Sequence, residues 1–320
     1  MDHDYAPVLV FVYRRPQQTL QTLEALSRNM LASESVLYIY ADGPGNVQDD
    51  AEKKGIEEVR RVIRKEKWCA EVNIIESKTN KGLATSIIDG VTEQVGRHGK
   101  VIVLEDDLVT SRGFLRYAND ALDKYQFEEK VMQISGYQFP IDDQEEGQSL
   151  FMDLTTSWGW ATWKRAWEKF DKTASGYEQL KSDRGLASKF DINGTYPYSD
   201  MLIDQMEKTN INSWAIRWWW SVFVNQGITL FPDKSLVKNI GFGPEASHTK
   251  GANPFFDNNF NPDYEVTAFP ADVAVDQGKM QALEAMLTHV KSTSQRHASP
   301  MYKLIRKMKQ ILEKLTTKTS

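Results

Sequence analysis

The first 140 residues alternate short apolar runs with longer segments whose apolar residues recur at helical spacing. The apolar runs predict five strands, at Val8–Tyr13, Val36–Tyr40, Val72–Ile75, Val101–Leu104 and Val131–Ser135. The segments between them predict four helices, from Pro16 onward and over Asp49–Lys67, Lys81–Val95 and Gly113–Tyr125. Because strands that alternate with helices need crossover connections, this order predicts an α/β fold with a mostly parallel central sheet flanked by helices.

The second half of the chain has a different character. Eight of the nine tryptophans lie between Trp158 and Trp220, which indicates a substrate-facing half that packs on the first. The three prolines within Gly251–Pro270 predict an ordered loop or lid. With 320 residues, the chain is long enough for one large domain or two smaller halves.

Three consecutive carboxylates, Glu105, Asp106 and Asp107, directly follow the apolar run Val101–Leu104. They should emerge at the carboxyl edge of the sheet, where open α/β folds bind ligands. Adjacent acids raise each other's pKa unless a cation lies between them, and a divalent ion with oxygen ligands suits that role. Alternation along an extended chain would direct Asp106 away from the other two. The triplet therefore predicts a metal–nucleotide site; the alternative is a solvated acidic turn that caps the next helix.

Charge and cysteine content narrow the class of protein. The formal net charge of −5 argues against a general nucleic-acid binder. Cys69 is the only cysteine, so no intrachain disulfide is possible, and the start of the sequence is acidic where a secretory signal would be basic. These features predict a cytoplasmic protein.

The tail, residues 301–320, has a net charge opposite in sign to that of the rest of the chain. Its six basic residues and one glutamate give it a formal charge of +5, and the other 300 residues carry −10. Apolar residues at helical spacing predict a basic amphipathic helix. Such a helix can lie on the anionic inner face of a membrane, as a peripheral contact, or pack against the domain or a partner subunit.

Five segments, in their order along the chain, resemble bacterial glycosyltransferases of the GT-A fold: PVLVFVYRRP, YADGP, TNKGLATS, KVIVLEDDLV and SWGWATW. A more distant resemblance is to the N-acetylglucosaminyltransferase I family. The resemblance spans about residues 6–250 and implies a GT-A-type fold, a nucleoside-diphosphate sugar donor, UDP-linked, and a Mn or Mg ion. It also implies transfer of a hexosyl or N-acetylhexosaminyl group to a glycan or lipid-linked glycan, as in bacterial surface polysaccharide synthesis.

The resemblance divides the chain by role. Residues 1–140 become the nucleotide-sugar-binding half, residues 141–300 the acceptor-binding half of the same catalytic domain, and residues 301–320 the tail. Arg15 falls where the family contacts uracil or phosphates, and a guanidinium suits both. Asp42 matches an acid that accepts a hydrogen bond from the base, although Asp before Gly-Pro also forms ordinary turns. Asn80 and Lys81 fall in a segment that lines the nucleotide pocket.

Within the acidic triplet, the resemblance assigns the metal to Asp107 and ribose or sugar hydroxyls to Asp106. Glu105 is expected to orient the loop. His248 follows a glycine-rich segment that closes over the donor in similar enzymes, so it is a candidate ligand of the metal or the diphosphate. An isolated histidine more often has neither role.

Trp158, Gly159 and Trp160 form a compact aromatic turn. Indole faces stack on sugar rings, and a glycine between them lets a ligand approach closely. Core packing is the alternative for any tryptophan, and we expect it for Trp163, Trp167 and the run 218–220.

The catalytic base is not evident from the sequence. The N-acetylglucosaminyltransferase I family places it in a Trp-Asp-Asp-Trp segment, whereas the corresponding stretch here, Trp214–Trp218, contains no carboxylate. Asp200 and Asp204, spaced to share one face of a helix, are the candidates, together with Glu245. Asp200 is the favoured candidate; the alternative, more common for any single acid, is a helix cap after Ser199 or a solvated acid.

Two other functions remain open. A nucleotidyltransferase also uses paired acids and a metal on an α/β sheet, but the segment Tyr13–Pro16 is not a glycine-rich triphosphate loop. An inactive relative that binds a carbohydrate or nucleotide sugar would explain the missing base. Slow metal-dependent hydrolysis of a nucleotide sugar distinguishes an enzyme from a binding protein.

Overall fold

The structure is a computed structural model that describes residues 5–45, 49–141, 147–208, 212–241 and 260–297. Its strands are β1 (Val8–Val12), β2 (Val36–Ala41), β3 (Glu71–Glu76), β4 (Lys100–Glu105), β5 (Leu108–Thr110), β6 (Val131–Ser135), β7 (Ser149–Met152), β8 (Trp160–Trp163), β9 (Ile228–Pro232) and β10 (Val237–Asn239). Its helices are α1 (Pro16–Ser27), α2 (Asp50–Val62), α3 (Leu83–His98), α4 (Phe114–Lys124), α5 (Lys164–Trp167), α6 (Gln179–Ser182), α7 (Arg184–Phe190), α8 (Tyr198–Lys208), α9 (Trp214–Val224) and α10 (Gln277–His297), with a 3-10 turn at Ala32–Glu34. The five strands and four helices predicted for the first 140 residues are confirmed.

Eight strands form one sheet in the order β3-β2-β1-β4-β8-β6-β9-β7. Neighbours pair in parallel from β3 to β4 and between β6 and β9, whereas β8 and β7 run antiparallel to their neighbours. Six of the eight strands therefore share one direction, and the predicted mostly parallel sheet is confirmed. The carboxyl ends of β1, β2, β3, β4, β6 and β9 consequently meet at one edge of the sheet.

Burial explains why the central strands consist of unbroken apolar runs. Every residue of β1, β6 and β9 is buried, so both faces of the sheet are covered at these strands. β2 alternates between buried and half-buried residues, and β3, at the edge, is the least buried of the three strands on its side. Helix α3 packs against β1 and β4, and α4 packs against β6 and β8.

Strand β8 comes from the tryptophan-rich half but lies inside the sheet of the first half, between β4 and β6. Its residue Trp160 pairs with Val103 of β4. Around it the expected aromatic core forms: the Trp160 ring stacks on Trp214 at 4.9 Å between centroids, and the Trp218 indole nitrogen donates to Gln133 Oε1 at 2.6 Å. Trp163, Trp167 and the run 218–220 are all buried, as predicted.

The remaining expectations concern the loops and the tail. Residues 260–270 of the predicted loop are irregular and are tied to the sheet by a bridge between Gln148 and Ala268. Residues 251–259 and the tail, 301–320, lie outside the described residues. Among the helices in the described ranges, none has both the length and the apolar character that crossing a bilayer requires.

Candidate active site

Arg15 and the acidic triplet meet at the carboxyl edge of the sheet. Arg15 is the last residue before α1, which follows β1, and the acids follow the neighbouring strand β4. The Arg15 Nη2 atom donates to Asp107 Oδ2 at 2.8 Å and also to Asp106 Oδ1, and its Nε lies 3.4 Å from Asp106 Oδ2. Asp106 and Asp107 are 4% and 8% exposed, so this is a nearly buried cluster of opposite charges.

The expected alternation within the triplet is wrong. Strand β4 ends at Glu105, and the chain turns at residues 106–107 before β5 begins. The turn brings the carboxylates of Asp106 and Asp107 to the same guanidinium instead of opposite sides. Thr22 of α1 fixes the turn, because its hydroxyl donates to the Asp106 carbonyl at 2.9 Å.

Burial and mutual repulsion set the pKa values of these acids. Burial, followed by the charges of Asp107 and Asp106, raises the pKa of Glu105 to about 8. Burial also raises the pKa of Asp106 to about 6, although Arg15 acts in the opposite direction. Burial alone would lower the pKa of Arg15, but the two aspartates outweigh it and raise this pKa. One positive guanidinium thus lies beside three carboxylates. The cluster retains two formal negative charges when all three are ionised.

Gly241 packs directly against this cluster. The sequence did not identify it as a site residue. The preceding residue, Ile240, donates its backbone N–H to the Asp107 carbonyl at 2.8 Å. A Cβ atom added to Gly241 would lie 1.9 Å from Asp107 Oδ2 and 3.0 Å from Arg15 Nη1. The position requires glycine because the backbone touches the carboxylate. Only the pairing of β10 with β5 brings it there, and no sequence pattern predicts that pairing.

The cluster fits a metal ion only in part. In the portion of the chain that the structure describes, no three His, Cys, Asp or Glu side chains are grouped to hold a metal. Asp107 Oδ1 and the Glu105 carboxylate make no hydrogen bond to described residues and are open to a cation. Magnesium is commonly bound by one or two carboxylates together with substrate phosphates and water. The predicted ligand His248 and the candidate base Glu245 lie outside the described residues.

The Asp42 carboxylate holds the backbone of a neighbouring loop. Its oxygens accept from the backbone N–H groups of Gly43 at 2.9 Å, Lys81 at 2.9 Å and Gly82 at 3.0 Å. Backbone amides therefore engage both of the oxygens that the sequence resemblance assigns to a base, and the carboxylate holds the loop in place. Lys81 contributes its backbone to this contact, while its exposed side chain lies 4.0 Å from Asp89.

Tyr13 and Glu52 lie at the same carboxyl edge of the sheet. Neither was identified as a site residue from the sequence. The Tyr13 hydroxyl donates to Glu52 and is also hydrogen-bonded to the Asn80 side chain. Burial, followed by the bond to Glu52, raises the pKa of Tyr13 to about 12. The Asn80 backbone N–H donates to the Pro44 carbonyl at 2.9 Å. The segments after β1, β2 and β3 are therefore tied together beside Asp42, where the predicted nucleotide pocket was expected.

A cavity of about 300 Å³ lies in the tryptophan-rich half. Its walls are aromatic rings, hydroxyl-bearing side chains and a few aliphatic groups, and none of the described residues that line it carries a charge. Among the predicted nucleotide and metal residues that fall in the described ranges, Trp158 alone lines it. The charged cluster and this neutral cavity are therefore two distinct groups of residues, one charged and one uncharged.

The aromatic turn divides between cavity and core. Trp158 lines the cavity, but Trp160 is 1% exposed and is enclosed by other rings, so the expectation that it stacks on a sugar is wrong. Gly159 adopts a φ of 63°, and a Cβ there would lie 2.7 Å from Val237 Cγ1. This glycine serves close packing of the protein rather than the approach of a ligand.

The two aspartates proposed as the base are not in the cavity. Asp200 is exposed in the first turn of α8, and Asp204 forms an ion pair with Lys208 at 2.6 Å. Neither residue lines the cavity, although Met201, between them, does.

No protein-family model matches the chain, and a search of curated proteins found no match. Among solved structures, mouse xyloside xylosyltransferase 1 in its apo form aligns at 11% identity and a TM-score of 0.37, covering 71% of this chain and 83% of that one. UDP-glucose pyrophosphorylase complexed with UDP-glucose aligns at 10% identity and 0.33, covering 70% and 89%. Galactosyltransferase LgtC with donor and acceptor sugar analogs aligns at 10% identity and 0.31, covering 55% and 65%. TM-scores of this size do not assign the chain to a family.

Proposed function

We propose that this chain is a metal-dependent glycosyltransferase of the GT-A type that takes a nucleoside-diphosphate sugar as its donor. The observation that carries the proposal is the pairing of Arg15 with Asp106 and Asp107 beside Glu105, at the carboxyl edge of a mostly parallel sheet. That edge is where α/β folds bind ligands. A guanidinium and a set of carboxylates in one cluster suit both parts of a metal–diphosphate complex.

The charge balance favours a cationic ligand that arrives with phosphates. The three carboxylates and Arg15 retain two formal negative charges when ionised, which a divalent cation offsets. A cation at Asp107 would compete with Arg15 for this carboxylate, and a guanidinium freed from it would suit a phosphate oxygen pair. Both oxygens of Asp106 already accept from Arg15, so this carboxylate would bind ribose or sugar hydroxyls alongside the arginine.

Mn or Mg is the metal we propose; Asp107 and Glu105 would hold it, with His248 as a further candidate ligand. When bound, such an ion stabilises the negative charge that develops on the departing diphosphate. Uridine is the base we favour, on the basis of the sequence resemblance. Asp42 then acts indirectly, by holding the loop of Lys81 and Gly82 at the edge of the nucleotide pocket.

The acceptor we propose is a hydroxyl of a glycan or lipid-linked glycan, and the transferred group is hexosyl or N-acetylhexosaminyl. A lipid-linked acceptor agrees with the basic tail, residues 301–320, whose charge suits an anionic membrane surface. The sequence leaves Asp200, Asp204 and Glu245 as candidates for the base that removes the acceptor proton.

Thermal unfolding with nucleoside diphosphates tests the donor site. UDP with Mn is expected to raise the midpoint of unfolding, since a ligand that binds the native state stabilises it. EDTA should abolish the rise, and Asp107→Asn should abolish it in a protein whose midpoint without ligand is preserved. If all nucleotides, with and without Mn, leave the midpoint unchanged, the site assignment is wrong.

A second candidate is a protein that binds a nucleotide sugar or carbohydrate without turnover. The observation that favours it is the absence of any carboxylate or histidine among the residues that line the cavity, within the described part of the chain. Release of free sugar from UDP-sugars distinguishes the two. Slow Mn-dependent hydrolysis that Asp107→Asn abolishes supports the enzyme, whereas binding with no hydrolysis and no transfer supports the binding protein.

A further inference from the structure

We infer that the neutral aromatic cavity is the acceptor site and that it takes one uncharged sugar ring at the end of the acceptor. That the bound sugar is the acceptor rests on the proposed function, whereas the capacity to bind a neutral sugar rests on the cavity alone. Its volume of about 300 Å³ is at the small end of the range for ligand sites. A terminal ring fits this space, and the remainder of a glycan would extend into solvent.

The lining excludes the charged ligands of this protein. Within the described ranges, it contains no Lys, Arg or His to pair with a diphosphate and no carboxylate to hold a metal or an amine. Burying an unpaired charge in such a site is strongly unfavourable. A nucleotide therefore belongs at the Arg15 cluster, and the cavity is left to a neutral molecule.

One donor in the lining has no acceptor among the described residues. Trp214 is 3% exposed and lines the cavity, and its indole N–H makes no hydrogen bond to described residues. Trp160, which does not line the cavity, likewise has no acceptor among them, whereas six other tryptophans donate to named acceptors, namely Trp68, Trp163, Trp167, Trp218, Trp219 and Trp220. The Trp214 N–H is therefore a donor that an oxygen of a ligand in the cavity can satisfy.

Free hydroxyl groups surround this donor. The side chains of Thr155, Ser157 and Ser213 line the cavity and make no hydrogen bond to the residues that the structure describes. Ser213 precedes α9 without capping it through its side chain. Hydroxyls both donate and accept, as the hydroxyls of a sugar do, so this set matches a ring whose edge is polar in every direction.

Aromatic rings supply the apolar walls that the C–H face of a sugar needs. Trp158 meets Tyr137 edge to face, with 4.7 Å between centroids and an angle of 77°. Tyr196 and Tyr198 form a second pair at 4.6 Å. Rings fixed in pairs lose little conformational freedom when a ligand binds, and they favour a flat, rigid ligand over a flexible chain.

The register of the sheet brings the cavity to the charged cluster. Trp160 of β8 pairs antiparallel with Val103 of β4. The chain bends at residues 158–159, and a Cβ atom added to Gly159 would lie 3.4 Å from Leu104 Cδ2, in the residue before Glu105. Trp158, which lines the cavity, is therefore the chain neighbour of a residue that packs against the end of β4. Transfer requires this proximity, because the acceptor hydroxyl has to reach the sugar of the bound donor.

The test measures sugar binding and nucleotide binding separately on the full chain. Methyl glycosides of glucose, galactose and N-acetylglucosamine, with their disaccharides, are titrated by saturation-transfer NMR. Trp214→Phe removes the free N–H and retains an aromatic ring, and Ser213→Ala removes one hydroxyl without loss of a helix cap. Trp220→Phe is the matched control, since its N–H bonds to the Ser175 carbonyl at 3.1 Å and it does not line the cavity.

Loss of one hydrogen bond should weaken glycoside binding by about five- to tenfold in Trp214→Phe and in Ser213→Ala, with less than a twofold change in the control. Ser213→Ala decides the matter if Trp214→Phe does not fold. Wild-type affinity in both variants overturns the inference. Stabilisation by UDP and Mn without binding of any glycoside also overturns it and leaves the proposed function intact. Glycoside binding that depends on Trp214, with no response to any nucleotide, supports the sugar site and contradicts the proposed function.

Discussion

Nη2 of Arg15 lies 2.8 Å from Oδ2 of Asp107, although 92 residues separate the two in the chain. The same nitrogen also bonds to Asp106, so a single guanidinium is the counter-ion of two nearly buried acids. A cation that binds Asp107 has to compete with this arginine. Four substitutions examine how the cluster and its surrounding loops are held together.

Arg15→Gln should be among the most destabilising single changes at this edge of the sheet. It leaves two buried carboxylates without their cation, and removing one partner of a buried pair costs about 3 kcal/mol or more in the free energy of unfolding. Urea denaturation measures this loss. Arg112→Gln is the control, since its pair with Asp263 at 3.7 Å is exposed and should contribute less than about 1 kcal/mol. Equal losses in the two variants would contradict the assigned role of Arg15.

Gly241→Ala should disrupt the acidic cluster while the fold persists. The new methyl group would overlap Asp107 Oδ2, so either the carboxylate or the backbone of the loop has to move. We expect loss of the UDP–Mn stabilisation and a lower unfolding midpoint. Gly96→Ala is the opposite case: no atom lies within 4 Å of its added Cβ on α3, and it should stabilise by about 0.5–1 kcal/mol. An unaltered nucleotide response in Gly241→Ala would show that Asp107 is not positioned by this contact.

Glu105→Gln should change how stability depends on pH in the metal-free protein. The pKa of Glu105 is raised from 4.5 to about 8, so the folded state retains a proton that the unfolded chain releases. This group's stabilising contribution is therefore present at low pH and is lost as pH rises from about 4.5 to about 8. The slope from one such proton is at most about 1.4 kcal/mol per pH unit. Denaturation with EDTA from pH 5 to 8 should give a flatter profile for the variant; parallel profiles would refute the raised pKa.

Asp42→Asn should loosen the loop after β3 without destroying the fold. The Asn side chain places an NH2 group where a carboxylate oxygen accepted from backbone N–H groups, so at least one of these donors loses its acceptor. An unsatisfied donor lowers the free energy of unfolding by about 1–3 kcal/mol. Hydrogen exchange of the Lys81 and Gly82 amides should become faster. Asp49→Asn provides the comparison, because Asp49 caps α2 at an exposed site and Asn caps equally well. Unchanged exchange at residues 81–82 would mean that Asp42 is available to a ligand after all.

The strands and helices of the first half could be predicted because their patterns are local. A fully buried strand such as β1 has to be an unbroken apolar run, and Pro16 marks a helix start whatever surrounds it. The acidic triplet could be predicted as part of a site for the same reason, since it directly follows such a run. Its internal geometry could not, because the turn at 106–107 depends on Thr22 and Arg15 from a distant segment.

Contacts between distant segments explain why the other site and core residues could not be predicted from the sequence. Gly241 becomes part of the site only through the pairing of β10 with β5, and Trp160 is buried only because β8 enters the sheet between β4 and β6. Short strands such as these have no periodicity long enough to identify. Nothing in the sequence distinguishes Trp214 from the other tryptophans, because its free N–H is a property of the packed structure.

The position of β8 also decides how the polypeptide can be divided. A fragment that ended near residue 140 would contain β4 and β6 but lack the strand between them. It would present two unsatisfied edges about 10 Å apart, and such edges invite aggregation. The aromatic half therefore cannot be exchanged as a module for that of another protein. A chimera would have to preserve the pairing of Lys100–Val103 with Trp160–Trp163 on both sides of the junction, so changes of ligand preference are open mainly to loop substitutions.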